Sequence, residues 1–111
     1  MKLSYGIFYT SDIQRITEFY REVLKFEFAF GSEEFVAFKL GDALLGIKIS
    51  EHAREVPGHQ TVIVSVENVR ELYQSCRSKS IKIYKELSLE DWGENFSILD
   101  FDGNKVEFVQ K

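Results

Sequence analysis

The chain has 111 residues, 44% hydrophobic and 29% charged with a single proline, which fits one ordered domain. Its 14 basic and 18 acidic residues give a net charge of −4 without basic clusters, which argues against a nucleic-acid-binding surface. The apolar runs are too short for a membrane span or a signal peptide, and the lone Cys76 has no disulfide partner, so we expect a cytoplasmic protein with no membrane partner.

The first half predicts a strand, an amphipathic helix and three further strands. Asp12 is a suitable N-cap for the helix, and Ser11 with Gln14 is an alternative capping box one residue earlier. The helical stripe consists of Ile13, Ile16, Tyr20, Val23 and Leu24. The strands are expected near 2–9, 26–31, 34–40 and 43–49.

A stretch without periodicity follows at 51–59 and carries the only proline, so we interpret it as a linker. It separates module 1, about 1–50, from module 2, about 60–111, within a single domain at 1–111. Its two histidines, His52 and His59, are expected to be exposed.

The second half repeats the order of the first. Asn68 can cap a helix whose stripe is Val69, Leu72, Tyr73 and Cys76, and Glu71 stands where a capping box needs an acid. Strands are expected near 60–66, 81–85, 95–101 and 104–110.

The two halves also match as sequences. "FVAFKLGDALLGIKI" aligns with "FSILDFDGNKVEFVQ" at an offset of 61 residues, and the two helical segments align at an offset of 56. Short Gly-Asp and Asp-Gly-Asn turns join the last strands of each half as hairpins. The duplication predicts an α+β fold of two βαβββ modules.

Alternation along the strands separates two faces of each sheet. One face is apolar and should meet the helices: it holds Val62, Val64, Val66, Leu45, Ile47, Ile49, Val106 and Phe108. The opposite face is mixed, and it either meets water or lines a cavity; its apolar members favour a partly shielded cavity. It holds Tyr5, Ile7, Tyr9, Leu44, Gly46, Lys48, Thr61, Ile63, Ser65, Lys105, Glu107 and Val109.

The two modules, the helix "SDIQRITEFYREVLKFEF" and the ending "DFDGNKVEFV" resemble the vicinal oxygen chelate superfamily. That group includes glyoxalase I, the bleomycin-resistance proteins, the fosfomycin-resistance enzymes and the extradiol dioxygenases. Two departures stand out: Phe101 replaces a proline that is usual in the ending, and Lys25 stands where the family often has Gly. The resemblance implies a curled eight-stranded mixed sheet with a concave ligand cup, helices on the outer face, and a homodimer.

In the metal-using members, ligands come from four positions that correspond here to Tyr5, Gly46, Thr61 and Glu107. Only Glu107 is an ordinary ligand for a divalent metal, so we expect no metal cofactor. A two-residue register shift that brings His59 to the site would still leave too few ligands.

Glu107 then needs another explanation, because a desolvated, unpaired charge is costly. One interpretation pairs Glu107 with Lys48, Lys105, Tyr5 or Tyr9. A second gives it a cationic or hydroxyl-bearing group of a ligand, or a role as general base, and a third leaves it exposed to solvent. Trp92 stands just before the seventh strand and either packs locally or offers, with Tyr5, a stacking surface for a planar ligand.

The favoured interpretation is a metal-independent protein that binds or sequesters a small organic molecule in the cup. The alternative is a lyase, isomerase or dioxygenase of the same superfamily with an atypical metal site or with Glu107 as a base. The expected ligand-binding residues are Tyr5, Ile7, Gly46, Lys48, Thr61, Ile63, Trp92, Lys105 and Glu107.

Overall fold

The computed structural model describes residues 1–111 and contains eight strands and two helices. In module 1 the order is β1 Tyr5–Thr10, α1 Ile13–Glu18 with a π-helical continuation Phe19–Val23, β2 Glu27–Gly31, β3 Phe35–Leu40 and β4 Ala43–Ile49. In module 2 it is β5 Thr61–Ser65, α2 Val69–Ser78, β6 Ile83–Glu90, β7 Gly93–Leu99 and β8 Lys105–Gln110.

The modules have the same topology. Module 1 forms a sheet in the order β1-β4-β3-β2 and module 2 a sheet in the order β5-β8-β7-β6, each with its first and last strands parallel. The predicted α+β fold of two βαβββ modules is confirmed. The strands form two four-stranded sheets and not one continuous eight-stranded sheet. β1 and β5 still approach each other, since a Cβ placed on Gly6 would lie 3.5 Å from Val62 Cγ1.

One hydrophobic core serves both modules. Its 15 buried residues come from both sheets and both helices and include Leu45, Ile47, Val106 and Phe108, which the alternation assigned to the helix-facing side. The rings of Phe26 in module 1 and Phe108 in module 2 are 6.4 Å apart, so the core is continuous between the modules. We call the other side of each sheet, turned away from this core, the open face.

Both helices begin at the predicted caps. Asp12 accepts a hydrogen bond from the Arg15 N–H at 3.1 Å, and Asn68 accepts one from the Glu71 N–H at 3.1 Å. The alternative start at Ser11 does not form, since the Ser11 hydroxyl donates instead to Asp102.

The predicted helical stripe continues past α1 into a π-helical turn. Beyond that turn Lys25 has a φ of +62°, and the next N–H, of Phe26, donates to the Tyr20 carbonyl at 2.9 Å. This is the hydrogen bond of a helix that ends on a left-handed residue, a conformation that favours glycine. The geometry explains why glycine suits the position that Lys25 occupies here.

The "DFDGN" turn fastens the modules together. Asn104 accepts a hydrogen bond from the Gly58 N–H of the linker at 2.9 Å and donates one to the Tyr9 carbonyl at 3.0 Å. Asp100 accepts a hydrogen bond from the Tyr20 hydroxyl at 2.8 Å, and Thr10 donates to Asp102 at 2.6 Å. We call Asp100, Asp102 and Asn104 the clasp, because they hold β1, α1 and the linker against β8.

Burial of the clasp affects its ionisation. Desolvation raises the pKa of the Asp100 carboxyl, although hydrogen bonds from Tyr20 and Asn104 oppose the rise. Burial and the neighbouring Asp100 raise the pKa of the Tyr20 phenol well above its ordinary value. Phe101, at the position of the usual proline, lies under the Arg15 guanidinium, 4.1 Å from its ring centroid. The replacement therefore adds a contact between the turn and α1.

None of the helices is long and apolar enough to cross a membrane.

Candidate functional site

An aromatic cluster covers the open face of module 1. The Phe35 ring lies directly against Gly46, since a Cβ on Gly46 would be 2.5 Å from Phe35 Cζ. Phe30 stacks on Phe35 with a centroid distance of 6.2 Å, and Tyr5 meets Phe35 edge-on at 6.1 Å. The position where metal-using relatives would place a ligand side chain is therefore occupied by an aromatic ring.

Lys48 is bonded to the linker, and its predicted role in ligand binding stays a prediction. Its amine donates to the Glu55 carboxylate at 2.8 Å and to Glu51 at 3.0 Å, both in the linker. The hydrogen bonds from Lys48 lower the pKa of Glu55. The expectation that Lys48 is free to pair with Glu107 is wrong, because the linker carboxylates take its charge.

A cavity of about 670 Å³ lies where β1 and β5 approach each other. Three of the predicted ligand-binding residues, Tyr5, Thr61 and Ile63, line it, and most of its other lining is apolar. The structure thus brings together predicted residues from both modules at this seam. Its size suits a small organic molecule.

A second cavity, of about 610 Å³, lies beside the clasp, between α1 and the turn after β7, and Asp100 and Asp102 line it. Its lining mixes both signs of charge. Two of its cations are already engaged: Lys79 donates to the Val23 carbonyl at 2.8 Å, and Arg15 lies over Phe101.

Two aromatic–lysine pairs stand on the sheet of module 2. The Lys85 amine is 5.5 Å from the Trp92 ring centroid, and the Lys105 amine is 5.4 Å from that of Tyr84. Trp92 is 51% exposed in the turn between β6 and β7, and Tyr84 is 62% exposed. Both rings have a surface that is free to contact a ligand.

Glu107 lies in the middle of β8, opposite Ile63 on one side and Ser97 on the other. It is partly exposed, and it has no ion pair or hydrogen bond with any side chain of the protein. The reading that pairs Glu107 with a lysine or a tyrosine of the same face is therefore wrong. Its neighbour Ser97 is fully buried, and the Ser97 hydroxyl also lacks a partner.

The four positions that carry the metal in relatives fall into two equivalent pairs. Ile7 on β1 lies beside Gly46, and Ile63 on β5 lies beside Glu107. Tyr5 and Thr61 come two residues earlier on those strands, so each is a diagonal neighbour of Gly46 or Glu107 in its own sheet. The donor set does not fit a divalent metal, because Gly46 has no side chain and is covered by Phe35. No group of three or more His, Cys, Asp or Glu side chains is placed to hold an ion, and both histidines lie in the linker.

Sequence reasoning missed Phe30, Phe35, Tyr84 and Ser97. Phe35 follows the same alternation as the predicted set, since it lies opposite Lys48, so that signal was available. Phe30 and Tyr84 follow irregularities in β2 and β6 that shift the register, which no local pattern reveals. The binding roles of Ile7, Thr61, Lys105 and the rest of the predicted set stay predictions.

The protein-family model described as "Glyoxalase/Bleomycin resistance protein/Dioxygenase superfamily" matches residues 2–108. The phenazine antibiotic resistance protein EhpR of Enterobacter agglomerans is 32% identical over 107 residues, an alignment that covers 88% of this chain and 83% of the relative.

Two solved structures share the fold. The bleomycin-binding protein of Streptomyces verticillus, complexed with copper(II)-bleomycin, has a TM-score of 0.82 at 20% identity, covering 100% of this chain and 97% of its own. TnmS3, an antibiotic-binding protein from Streptomyces sp. CB03234, has a TM-score of 0.89 at 16% identity, covering 99% and 95%. At these identities the likeness establishes the fold alone. The family-model match and the alignment with EhpR show the family as well. The chain belongs to the glyoxalase/bleomycin resistance protein/dioxygenase superfamily.

Proposed function

We propose that this protein binds and sequesters a small planar organic molecule, of the kind found among antibiotics, without a metal. The observation that carries the proposal is the ring of Phe35 against Gly46. A position suited to a metal ligand is filled by an aromatic surface, which Tyr5 and Phe30 extend. Flat rings of this kind favour stacking of a planar ligand. The name of the relative EhpR, a phenazine antibiotic resistance protein, agrees with a planar ligand.

The proposed binding unit is a homodimer in the cytoplasm. The two sheets of one chain share a core through their helix-facing sides, so the open faces carry apolar side chains that remain exposed. Phe30 is 47%, Ile63 65% and Tyr84 62% exposed, which is a large apolar surface for a small monomer. The open face of a second copy would cover this surface and complete a cup around the ligand.

Trp92, the only tryptophan, supplies the measurement. Phenazine titrated into the purified protein should quench Trp92 fluorescence to a saturable end point, equally with and without exhaustive chelation by EDTA. Loss of binding on chelation, with recovery on adding a divalent metal, would contradict the metal-independent part of the proposal.

Two ring variants separate stacking from general stability. Phe35→Leu removes a ring of the open face, while Phe101→Leu removes a partly exposed ring that lies against Arg15 on the other side of the chain. We expect Phe35→Leu to weaken phenazine binding about fivefold and Phe101→Leu to leave it unchanged, since a stacking contact contributes roughly 1 kcal/mol. Equal effects of the two variants would argue against a site on the open face.

The dimer is tested separately by sedimentation or by light scattering during size exclusion. A monomer that binds phenazine with the same affinity across protein concentrations would remove the second copy from the proposal and leave binding intact.

A further inference from the structure

One row of side chains crosses the open face of module 2. The register places Lys85 on β6 beside Ser97 on β7, Ser97 beside Glu107 on β8, and Glu107 beside Ile63 on β5. Side chains directly opposite on neighbouring strands point the same way and are within contact distance. Ser97 and Glu107 are therefore immediate neighbours on this face.

Both of these polar groups lack a partner. The Ser97 hydroxyl is completely buried and makes no hydrogen bond, and a buried polar group without a partner is uncommon in folded proteins. Glu107 makes no ion pair and accepts no hydrogen bond from another side chain. Glu107 is the charged member of this pair, and its carboxylate is partly exposed, so it is open to a hydrogen-bond donor that comes from outside the chain.

The cations of the open faces are engaged elsewhere. Lys85 donates to the side-chain amide oxygen of Asn95 at 2.7 Å and lies 3.5 Å from the Glu90 carboxylate. Lys105 lies over Tyr84, and Lys48 is held by Glu55. Glu107 is the charged group of this row that has no ion pair within the protein, since the ion pair of the row joins Lys85 to Glu90. A ligand that meets this row gains most by bringing a hydrogen-bond donor, and a cationic donor gives the stronger bond.

We infer that Glu107 selects ligands whose planar ring system carries an amino group on its edge, with Ser97 as the positioning residue that orients the Glu107 carboxylate. This inference rests on the proposed binding of planar molecules, and it names the chemical class that the site prefers. On binding, the amine donates to one oxygen of the carboxylate, and the Ser97 hydroxyl, which makes no hydrogen bond in the free protein, turns to donate to the other. Trp92 and Ile63, both exposed at the two ends of the site, provide the surfaces for the ring system.

Three probes with one ring system test the inference: acridine, 9-aminoacridine and acridine-9-carboxylate, titrated near neutral pH at physiological salt. We expect the wild-type protein to bind 9-aminoacridine at least about tenfold more tightly than acridine, and the carboxylate least tightly. The measured quantity is the ratio of the dissociation constants for 9-aminoacridine and acridine, because a general change in stability or in stacking affects both probes alike.

The variants are Glu107→Gln, Ser97→Ala and, as a control for net charge, Glu22→Gln on the exposed surface of the π-helical turn. Glu107→Gln should bring the ratio close to one while acridine itself binds as before. Ser97→Ala should lower the ratio by a smaller factor, and Glu22→Gln should not change it. Thermal unfolding of each variant establishes that it is folded.

The outcomes distinguish the two proposals. Acridine binding without a preference for 9-aminoacridine, or a preference that survives Glu107→Gln, overturns the selection by Glu107 and leaves the proposed function standing. Failure of all three tricycles to bind overturns both. A loss of preference that is equal in Glu22→Gln reduces the effect to net charge and also overturns the inference.

Discussion

Replacing Asn104 by alanine should lower the free energy of unfolding more than a substitution of similar size on the surface, because Asn104 joins the two modules. The Asn104 side chain is fully buried, accepts from the Gly58 N–H at 2.9 Å and donates to the Tyr9 carbonyl at 3.0 Å. In Asn104→Ala both backbone groups lose their partner. A polar group left unpaired costs roughly 1–3 kcal/mol, and the partly exposed linker lets water reach Gly58, so the expected loss is about 2–4 kcal/mol.

That loss is a large part of the stability of a small domain, which is about 5–15 kcal/mol. It corresponds to a fall in Tm of roughly 10–20 °C for a domain of about 100 residues. Urea unfolding at constant pH, followed by circular dichroism, measures the free energy of unfolding directly.

Asp42 provides the matched control, since it is exposed in the equivalent turn of module 1. Asp42→Ala should change the free energy of unfolding by less than about 0.5 kcal/mol. Asn104→Asp keeps an acceptor for Gly58 but loses the bond to Tyr9 and adds a carboxylate near Asp100, so it should be at least as destabilising as alanine at neutral pH. Equal stability of the Asn104→Ala and Asp42→Ala proteins would refute the view that the clasp joins the modules.

Lys25→Gly should raise the free energy of unfolding in urea by about 0.5–1 kcal/mol because it removes left-handed strain, whereas Lys39→Gly, at an exposed residue of strand β3, should lower it. A loss of stability at both sites would count against the strain argument. Because the pKa of Asp100 is raised in the folded state, its contribution to stability is greatest below the unfolded pKa of about 3.9 and declines as the pH rises through the folded pKa. The stability of Asp100→Asn relative to wild type should therefore improve as the pH rises from about 4 to 7, and a constant or declining difference would contradict a raised pKa. Cys76 is 1% exposed and burial raises its pKa, so the native protein should react with a disulfide reagent far more slowly than the protein in urea; complete reaction within minutes would place the thiol at the surface.

Most of the fold could be predicted because the signals are local and occur twice. The caps Asp12 and Asn68 and the stripe through Ile16 and Tyr20 mark the helices, and alternation marks the apolar side of the strands. The superfamily often has glycine at the position of Lys25, and the left-handed φ of Lys25 gives the physical reason for that preference. The end of α1 was harder to predict from the sequence, because a π-helical turn depends on how the following strand packs.

The candidate site was predictable only in part. The alternation of residues along β8 correctly placed Glu107 on the open face. Which groups pair with a side chain on that face depends on distances between strands and loops, and residue spacing in the sequence does not specify those distances. Lys48, which shares that face, bonds to the linker residue Glu55, and this leaves Glu107 without a counter-charge. The ring of Phe35 reaches Gly46 because β3 and β4 lie side by side in a particular register.

The sequence by itself determined the duplicated order of strands and helices and the apolar side of each sheet. It also determined that few side chains at the candidate site can bind a metal, because all of these follow from residue type and periodicity. Tertiary structure alone decided that the modules share one core through their helix-facing sides, and that "DFDGN" fastens them together. It also decided which polar groups remain unsatisfied. The physical reason is that pairing and burial depend on contacts between residues far apart in the chain, where one side chain competes with another for the same partner.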